Sequence, residues 1–599
     1  MEMEKHQRRF MRILDNAPEI KAIFLSEAPL EEKRVKILGF LARMQAKTFS
    51  DDPGIPPLEW VLARDAIQVF RSLISTRSER LAGYSFLSYL DNLLHRVPPG
   101  DQPLPHAGFF NELEHLIRGI VGKTGIYPEK APGFLKLHGA RAARLRSADL
   151  SRMSAAAQEQ MARFTSGLEN ETVRRRSRNK ARILKHFDAT DLEWEKWQWH
   201  VRNAIQDAET LGRLVELTAD ERRAVEMARQ QRIPFGITPY YLSLMDYRSG
   251  SARDRAVRAQ VIPPMNYVKT LLNQPRDAHS GQDFMLEHDT SPIEGITRRY
   301  PEIVILKPIL TCPQICVYCQ RNWEIEEIDS TQAVLSADKL QKAIEWIADT
   351  PEIQEVLITG GDPLLLSNSR IEKILYRLSK IDHVVRIRIG TRTPVTLPQR
   401  ITDTLVRSIN RFHIPGKREI IIITHFEHPY EISPQAMEAV QKFRRYGIDV
   451  YNQMVYTFYN SKKFEAAALR KQLRLIGVTP YYTFNAKGKE ETDDYRVPIA
   501  RLLQEQHEEA RLLPGTVRTD EIVFNVPRLG KNYLRARQHH DVVSILPDGR
   551  RVYEFHPWEK KLFLVDTYTY TDVSIHRYLQ RMKAAGENIT ALKTIWYYY

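Results

Sequence analysis

Cysteine is scarce in this chain: three in 599 residues, all between positions 312 and 319. So few thiols held so close together exclude a disulfide-stapled scaffold and point to a reducing compartment, the cytoplasm. Long apolar runs are missing too. No stretch approaches the about 18 residues that cross a bilayer, and Met1–Arg9 carries no apolar core of an export signal. The chain therefore reads as having no membrane span and no leader. No internal repeat is found in residues 1–185. Charge of neither sign dominates, since 88 Lys+Arg stand against 74 Asp+Glu. The resulting +14 suits a solvated basic surface, and nucleic acid is the disfavoured partner. A hydrophobic content of 43% is ordinary for a globular protein, and this length allows two or three domains.

The cysteines stand in Thr311-Cys-Pro-Gln-Ile-Cys-Val-Tyr-Cys-Gln-Arg321, spaced C-x3-C-x2-C. Three soft thiolates on a short loop can each hold one iron of a cubane and leave the fourth iron open to a small molecule. Structural zinc usually takes four ligands, and no His or fourth Cys stands beside this loop. Unrelated buried thiols would not all fall within eight residues. The metal reading is therefore a [4Fe-4S] cluster on Cys312, Cys316 and Cys319. The spacing, with Tyr318 just before the last cysteine, resembles the signature of the radical S-adenosylmethionine (SAM) enzymes.

Residues 1–185 read as a helical accessory domain of unknown role, broken by proline-rich loops. Val35, Leu38, Leu41 and Met44 recur at helical spacing within Glu31–Ala46, and a second helix is expected over Leu58–Leu73. Arg174–Lys185 is a basic run without acids or interleaved aromatics, expected to be a solvated linker or helix face. Residues 186–300 form a mostly helical lead-in. Thr190 and Glu193 are placed for a capping box, and Leu192, Trp194 and Trp197 suit a core or interface. Over 301–490, strand and helix patterns alternate. Ile303–Leu310 is a continuous apolar run, and further strands are expected at Glu355–Thr359, Val384–Ile389, Ile420–Ile423 and Asp449–Val455. Ser336 and Ser433-Pro434 open intervening helices. Such alternation implies a parallel sheet, barrel or doubly wound. Cys312, Gly360, Gly390, His425 and Gln453 fall at C-terminal strand ends, where barrel active sites assemble. The expected fold is α/β, a partial or full TIM-like (β/α) barrel with an all-α N-terminal domain. Residues 491–599 are expected to form a C-terminal segment, which carries Lys531, and a tail.

From Phe187 to Glu559 the sequence resembles the amino-acid 2,3-aminomutases. The resemblance rests on Trp197-Gln-Trp, Ile237-Thr-Pro-Tyr-Tyr-Leu-Ser-Leu, Thr297-Arg-Arg-Tyr-Pro301 and the cysteine loop with Arg321. It continues through Thr359-Gly-Gly-Asp-Pro-Leu, Arg388-Ile-Gly-Thr-Arg-Thr-Pro-Val, Leu397-Pro-Gln-Arg-Ile-Thr, Thr424-His-Phe-Glu-His-Pro and Asn452-Gln453. It implies a partial barrel using a [4Fe-4S] cluster, SAM and pyridoxal phosphate (PLP). Cluster and SAM supply the radical that removes the β-hydrogen, while PLP carries the migrating nitrogen and the protein orients both. Gly360, Gly361 and Asp362 are then expected to line the SAM site, where missing side chains admit the ligand, with His425 and Gln453 as polar contacts. Lys531, in Asn525-Val-Pro-Arg-Leu-Gly-Lys531, matches the PLP-bonding lysine, although the family precedes it with four glycines. Arg299 and Tyr300 match residues on the PLP phosphate. Arg321 matches the arginine that forks onto the substrate α-carboxylate.

The distal end of the substrate decides specificity. Lysine enzymes place two aspartates there; Lys487 and Asn525 occupy the matching positions here, as in the glutamate enzymes. A lysine ammonium would meet Lys487 as an unbalanced like charge. The resemblance therefore implies L-glutamate to β-glutamate, a small-molecule amino-acid substrate. It also implies a reductant protein such as flavodoxin or ferredoxin, and a homo-oligomer without the structural zinc that extra C-terminal cysteines hold in the lysine enzymes. The alternatives are a lysine 2,3-aminomutase acting on free or elongation-factor-linked lysine, and, from another class, an RNA-binding or RNA-modifying radical SAM protein motivated by the Arg174 run.

Overall fold

Ile420–Ile423 is apolar at every position and buried at every position, as a strand covered on both faces must be. It belongs to a nine-stranded sheet in the computed structural model, which describes residues 2–50, 58–127, 131–251, 253–273, 282–328, 330–486, 488–536, 539–556 and 565–599. The strands are β1 (Ile296–Thr297), β2 (Ile303–Ile309), β3 (Glu355–Gly360), β4 (Arg386–Gly390), β5 (Glu419–Thr424), β6 (Asp449–Tyr456), β7 (Val478–Asn485), β8 (Glu521–Val526) and β9 (Gly530–Tyr533). They lie side by side in chain order. β1 is antiparallel to β2, and β2 to β8 are parallel, each to the next. A doubly wound sheet reverses its strand order at a switch point; this order never reverses. The sheet is a curled half-barrel of the radical SAM type, as expected.

Local signals placed the crossover helices well. Ser336 accepts from Lys339 N at the start of the helix Ala337–Ala348. Ser433 accepts from Ala436 N ahead of Pro434–Arg444, and Gly447 takes the positive φ of 72° that follows it. The capping box of Thr190 and Glu193 forms. Trp194 is buried and Trp197 lies under the Arg400 guanidinium, but Leu192 is 78% exposed and joins no core.

Two compact units divide the chain: residues 157–496 with 513–531, and residues 1–156 with 497–512 and 532–599. This differs from the linear division at 185, 300 and 490. The helix Asn170–His186 belongs to the barrel unit, where Asn179 donates to the Ser243 and Met245 carbonyls at 3.0 and 2.7 Å. The C-terminal tail instead shares a core with the N-terminal helices. Arg551 on β11 (Arg551–Phe555), within the antiparallel sheet of β10 (His540–Ile545), β11 and β12 (Tyr568–Thr571), forms a buried pair with Glu112 at 2.9 Å. Trp596 stacks on His115. Contacts between residues more than 400 positions apart leave no local trace in sequence. In the helix Leu30–Lys47 the buried positions are Ile37, Phe40, Leu41 and Met44, while Val35 is 67% exposed and Leu38 also faces outward. Lys33 and Arg34 explain the rotated face: both are buried, paired with Asp91 at 2.7 Å and Glu79 at 3.0 Å.

Candidate active site

The C-terminal ends of the parallel strands surround one cavity. Into it face Cys312, Cys316 and Cys319, Gly360, Gly361 and Asp362, His425 and Gln453, and also Arg299, Tyr300, Arg321, Asn525 and Lys531. Thus every candidate site residue in the described chain lines a single space. Lys487 lies outside the described residues.

The cysteine loop leaves β2 and is fastened by its own backbone. Ile315 N donates to Gly236 O at 3.0 Å and Val317 N to Gln260 O at 2.9 Å. Ile315, Ile325 and Ile328 pack beneath Cys312 and Cys319. In this dry setting burial pushes all three thiols upward, Cys319 to about 11. A metal reverses that preference, because a coordinated thiol is deprotonated outright. Among the described residues no group of three or more His, Cys, Asp or Glu converges as the ligands of one ion. A cubane takes one thiolate per iron, and three thiols on one loop beside a cavity fit that group.

Gly360 and Gly361 serve packing at least as much as ligand access. A Cβ on Gly361 would stand 2.2 Å from Thr311 O and 2.5 Å from Thr311 N. Gly360 has φ +107° and would press on Ile309 O at 2.8 Å. Gly361 N and Asp362 N donate to Ile309 O and Thr311 O at 2.7 and 3.0 Å. The end of β3 is thereby laced to the entrance of the cysteine loop. The Asp362 carboxylate is fully engaged by the chain: it accepts from Thr391 Oγ1, from the Leu364, Arg392 and Thr393 amides, and from no basic side chain. It ties β3 to the turn after β4 and has no oxygen left to offer a ligand.

That turn carries Arg392, to which sequence reasoning gave no role. Its Nη1 donates to Cys316 Sγ at 2.8 Å, its Nε to His425 O at 3.1 Å, and its Nη2 to Glu431 at 2.7 Å and to Gln260. A guanidinium against one cluster ligand favours the thiolate. Burial, helped by Arg392, lowers His425 to about 4, so its imidazole is neutral. Glu427, facing the same space, is pushed up to about 8 by burial against the pull of Arg392, so it is a neutral acid at pH 7. Both residues sit in quoted motifs, but only the folded environment fixes their protonation.

Across the cavity, Lys531 Nζ lies 3.3 Å from Tyr300 Oη and over the rings of Tyr300 and Tyr482. The Lys531 amide also donates to Tyr300 Oη, at 2.9 Å. Burial lowers the amine to about 8, with Arg299 and Arg388 adding to the effect. The shortened loop before it still needs left-handed backbone: Arg528 has φ 63° and Gly530 φ 93°. A Cβ on Gly530 would meet Tyr300 Oη at 2.4 Å, so the glycine that remains is the one against the phenol.

Behind this wall stands Glu287, a residue without any sequence signal. Its carboxylate meets Arg321 at 3.0 Å, Arg299 at 3.3 Å and Lys307 at 3.7 Å. Burial alone would raise its pKa, but the three cations hold it down at about 2. Arg321 gives both Nε and Nη2 to Glu287. A substrate carboxylate can therefore be gripped through Nη1, and not through the Nε–Nη2 fork edge.

The Radical SAM superfamily pattern matches residues 306–469. An uncharacterized KamA family protein of Methanocaldococcus jannaschii is 42% identical over 98% of this chain and 97% of its own length. The L-lysine 2,3-aminomutase of Fusobacterium nucleatum is 34% identical over 52% of this chain and 70% of its own. The glutamate 2,3-aminomutase of Clostridioides difficile is also 34% identical, over 54% of this chain and 72% of its own.

Proposed function

Because this chain belongs to the KamA family of radical SAM proteins, we propose that it is a PLP-dependent 2,3-aminomutase converting L-glutamate to β-glutamate. The observation that carries the reading is the shared cavity: three clustered cysteines on one side and a lysine of lowered pKa on the other. Cluster, SAM and PLP, when bound, supply the radical and the nitrogen carrier that no side chain can supply.

The residues of the chain have defined tasks around them. Cys312, Cys316 and Cys319 would hold three irons, and Arg392 would steady the charge at Cys316. Neutral His425 and Gln453 would meet SAM, beside the tight turn that Gly360, Gly361 and Asp362 form. Arg299 and Tyr300 would hold the PLP phosphate, and Lys531 the PLP carbon. Arg321 Nη1 would take the substrate α-carboxylate. At the distal end the supporting feature is the lack of a usable acid. Among the described lining residues the carboxyls are Asp362, already saturated, and Glu427, uncharged at pH 7. Asn525 is buried there and can donate its amide to a carboxylate, whereas a lysine ammonium would meet no counter-charge.

The test is anaerobic reconstitution with PLP, SAM and reductant, with L-glutamate or L-lysine supplied separately. β-Glutamate by mass spectrometry, without β-lysine, is the expected product. β-Lysine would overturn the substrate while leaving the reaction class standing. Absence of both products, with no 5′-deoxyadenosine above background, would overturn the class.

Lys531 gives a second expected result. Above a pH of about 8 its amine is free to bond the PLP carbon; below that it is protonated. PLP uptake, followed by absorbance, should rise with pH through about 8 and then level off. An ordinary lysine would keep rising to about 10.4. Lys531→Ala should abolish the uptake, and persistence of the band would remove Lys531 from the PLP site.

A further inference from the structure

The Arg174–Lys185 run does not form a uniform solvated face. Within the helix Asn170–His186, Arg176 turns inward onto the Tyr430 ring and carbonyl. Arg175, Arg178 and Arg182 lie three and four residues apart and share one side. Asn179 anchors that side to the chain just before the segment 246–253, which carries Tyr247, Arg248 and Arg253. The result is an open pocket lined by five guanidiniums and one carboxylate, Asp246. Glu216, which accepts from Ser249 N at 3.1 Å, and Glu171, which pairs with Arg175 at 3.0 Å, stand at its edge.

These acids do not balance the pocket. Asp246 is shared between Arg175 at 3.2 Å and Arg253 at 3.4 Å. Arg182 is held by neutral acceptors, the Leu214 carbonyl and the Asn179 side chain, at 3.0 and 2.9 Å. Arg178 and Arg248 are exposed, and neither forms an ion pair among the described residues. Two unpaired forks beside three others repel one another unless an anion joins them. The guanidinium fork matches phosphate oxygens two at a time. An aromatic accompanies the charges after all: the Tyr247 ring lies 4.5 Å from Arg182 Cζ and remains 47% exposed. It came from a segment about 70 residues away, so the run itself gave no sign of it. Arginines beside an open aromatic ring are the combination that takes the phosphate and base of a nucleotide.

We propose that Arg178, Arg182, Arg248 and Tyr247 form a nucleotide site, separate from the strand-end cavity, which binds phosphate through the guanidiniums and stacks a base on the tyrosine. The nucleotide can be free or part of a single strand, since both offer the same groups. The test uses the full-length protein at low salt with two probes, ATP by isothermal titration and a fluorescein-labelled uridine oligonucleotide by anisotropy, and inorganic phosphate by isothermal titration as the control. Wild type should bind at least one, with affinity falling steeply as salt rises. Arg178→Ala/Arg248→Ala should weaken it by about tenfold or more, given the strength of hydrogen bonds to charged groups. Tyr247→Ala should weaken it without changing the salt slope. Should the double alanine variant fold poorly by circular dichroism, Arg178→Lys/Arg248→Lys keeps the charge and loses only the forks, and should still weaken binding. Loss confined to ATP identifies a free nucleotide; loss confined to the oligonucleotide identifies a strand. No binding of either probe, unchanged affinity in the variants, or equally tight binding of inorganic phosphate alone would overturn the proposal.

Discussion

Gly361→Ala is expected to leave a folded protein that takes up roughly a tenth or less of the wild-type iron and has no measurable SAM cleavage. The reason is the object the new methyl group would strike. Its nearest neighbours are Thr311 O at 2.2 Å and Thr311 N at 2.5 Å, backbone atoms that cannot swing aside as a side-chain tip does. Overpacking of this kind costs about 1–3 kcal/mol or more where nothing can yield. Here the part that must yield is the residue before Cys312, already fixed by the Asp362 N to Thr311 O bond. The displacement would therefore be delivered to the first cluster ligand. Gly447→Ala is the control, since no atom lies within 4 Å of the added Cβ, and its φ of 72° leaves only a backbone cost that Gly361 does not carry. It should lose about 1 kcal/mol of stability through backbone strain and keep its iron. Iron per protein after anaerobic reconstitution, with the cluster spectrum, separates the two. Wild-type iron in Gly361→Ala would show that β3 does not position the cysteine loop.

Glu287→Gln should be the most destabilising single change in the barrel unit that leaves no cavity. It removes the shared partner of Arg321, Arg299 and Lys307, of which Arg321 and Lys307 retain Glu324 at 3.4 and 2.7 Å. Breaking a buried pair from one side typically costs about 3–5 kcal/mol, because the remaining charge is left uncompensated. Chemical denaturation of the apoprotein reads the loss. The acid limb gives an independent check. The folded carboxyl titrates near 2 against an ordinary 4.5, so its contribution is complete above about pH 4.5 and disappears as the pH falls toward 2. Wild type should lose stability through that window more steeply than the variant. Adding Lys307→Met should restore part of the loss, since one of the three cations is then gone. A variant as stable as wild type at pH 7 would mean that Glu287 does not hold these cations together. PLP affinity should fall along with stability, because Arg299 is then free to leave the cavity wall.

The sequence determined the family and the order of the elements. The cysteine spacing sufficed to favour a cubane over zinc, since ligand number and type are local. Alternating strand and helix patterns, with a polar or glycine-rich residue at each strand end, sufficed for a parallel sheet whose strand ends gather one site. Tertiary structure decided what each side chain is free to do. Asp362 reads as a ligand contact in its motif, but four partners from the turn after β4 and from its own loop occupy it. Arg321 reads as a fork for substrate, but a glutamate 34 residues earlier takes its Nε and Nη2. The glycines before Asp362 read as room for a ligand, and besides lining the cavity they hold two backbones together. Likewise, the C-terminal tail shares a unit with the N-terminal helices, where Arg551 and Glu112 meet across most of the chain's length. Hydrogen-bond saturation, burial and charge sharing belong to pairs of residues brought together by folding. A motif states which groups are present, and the packed structure determines which of them remain available.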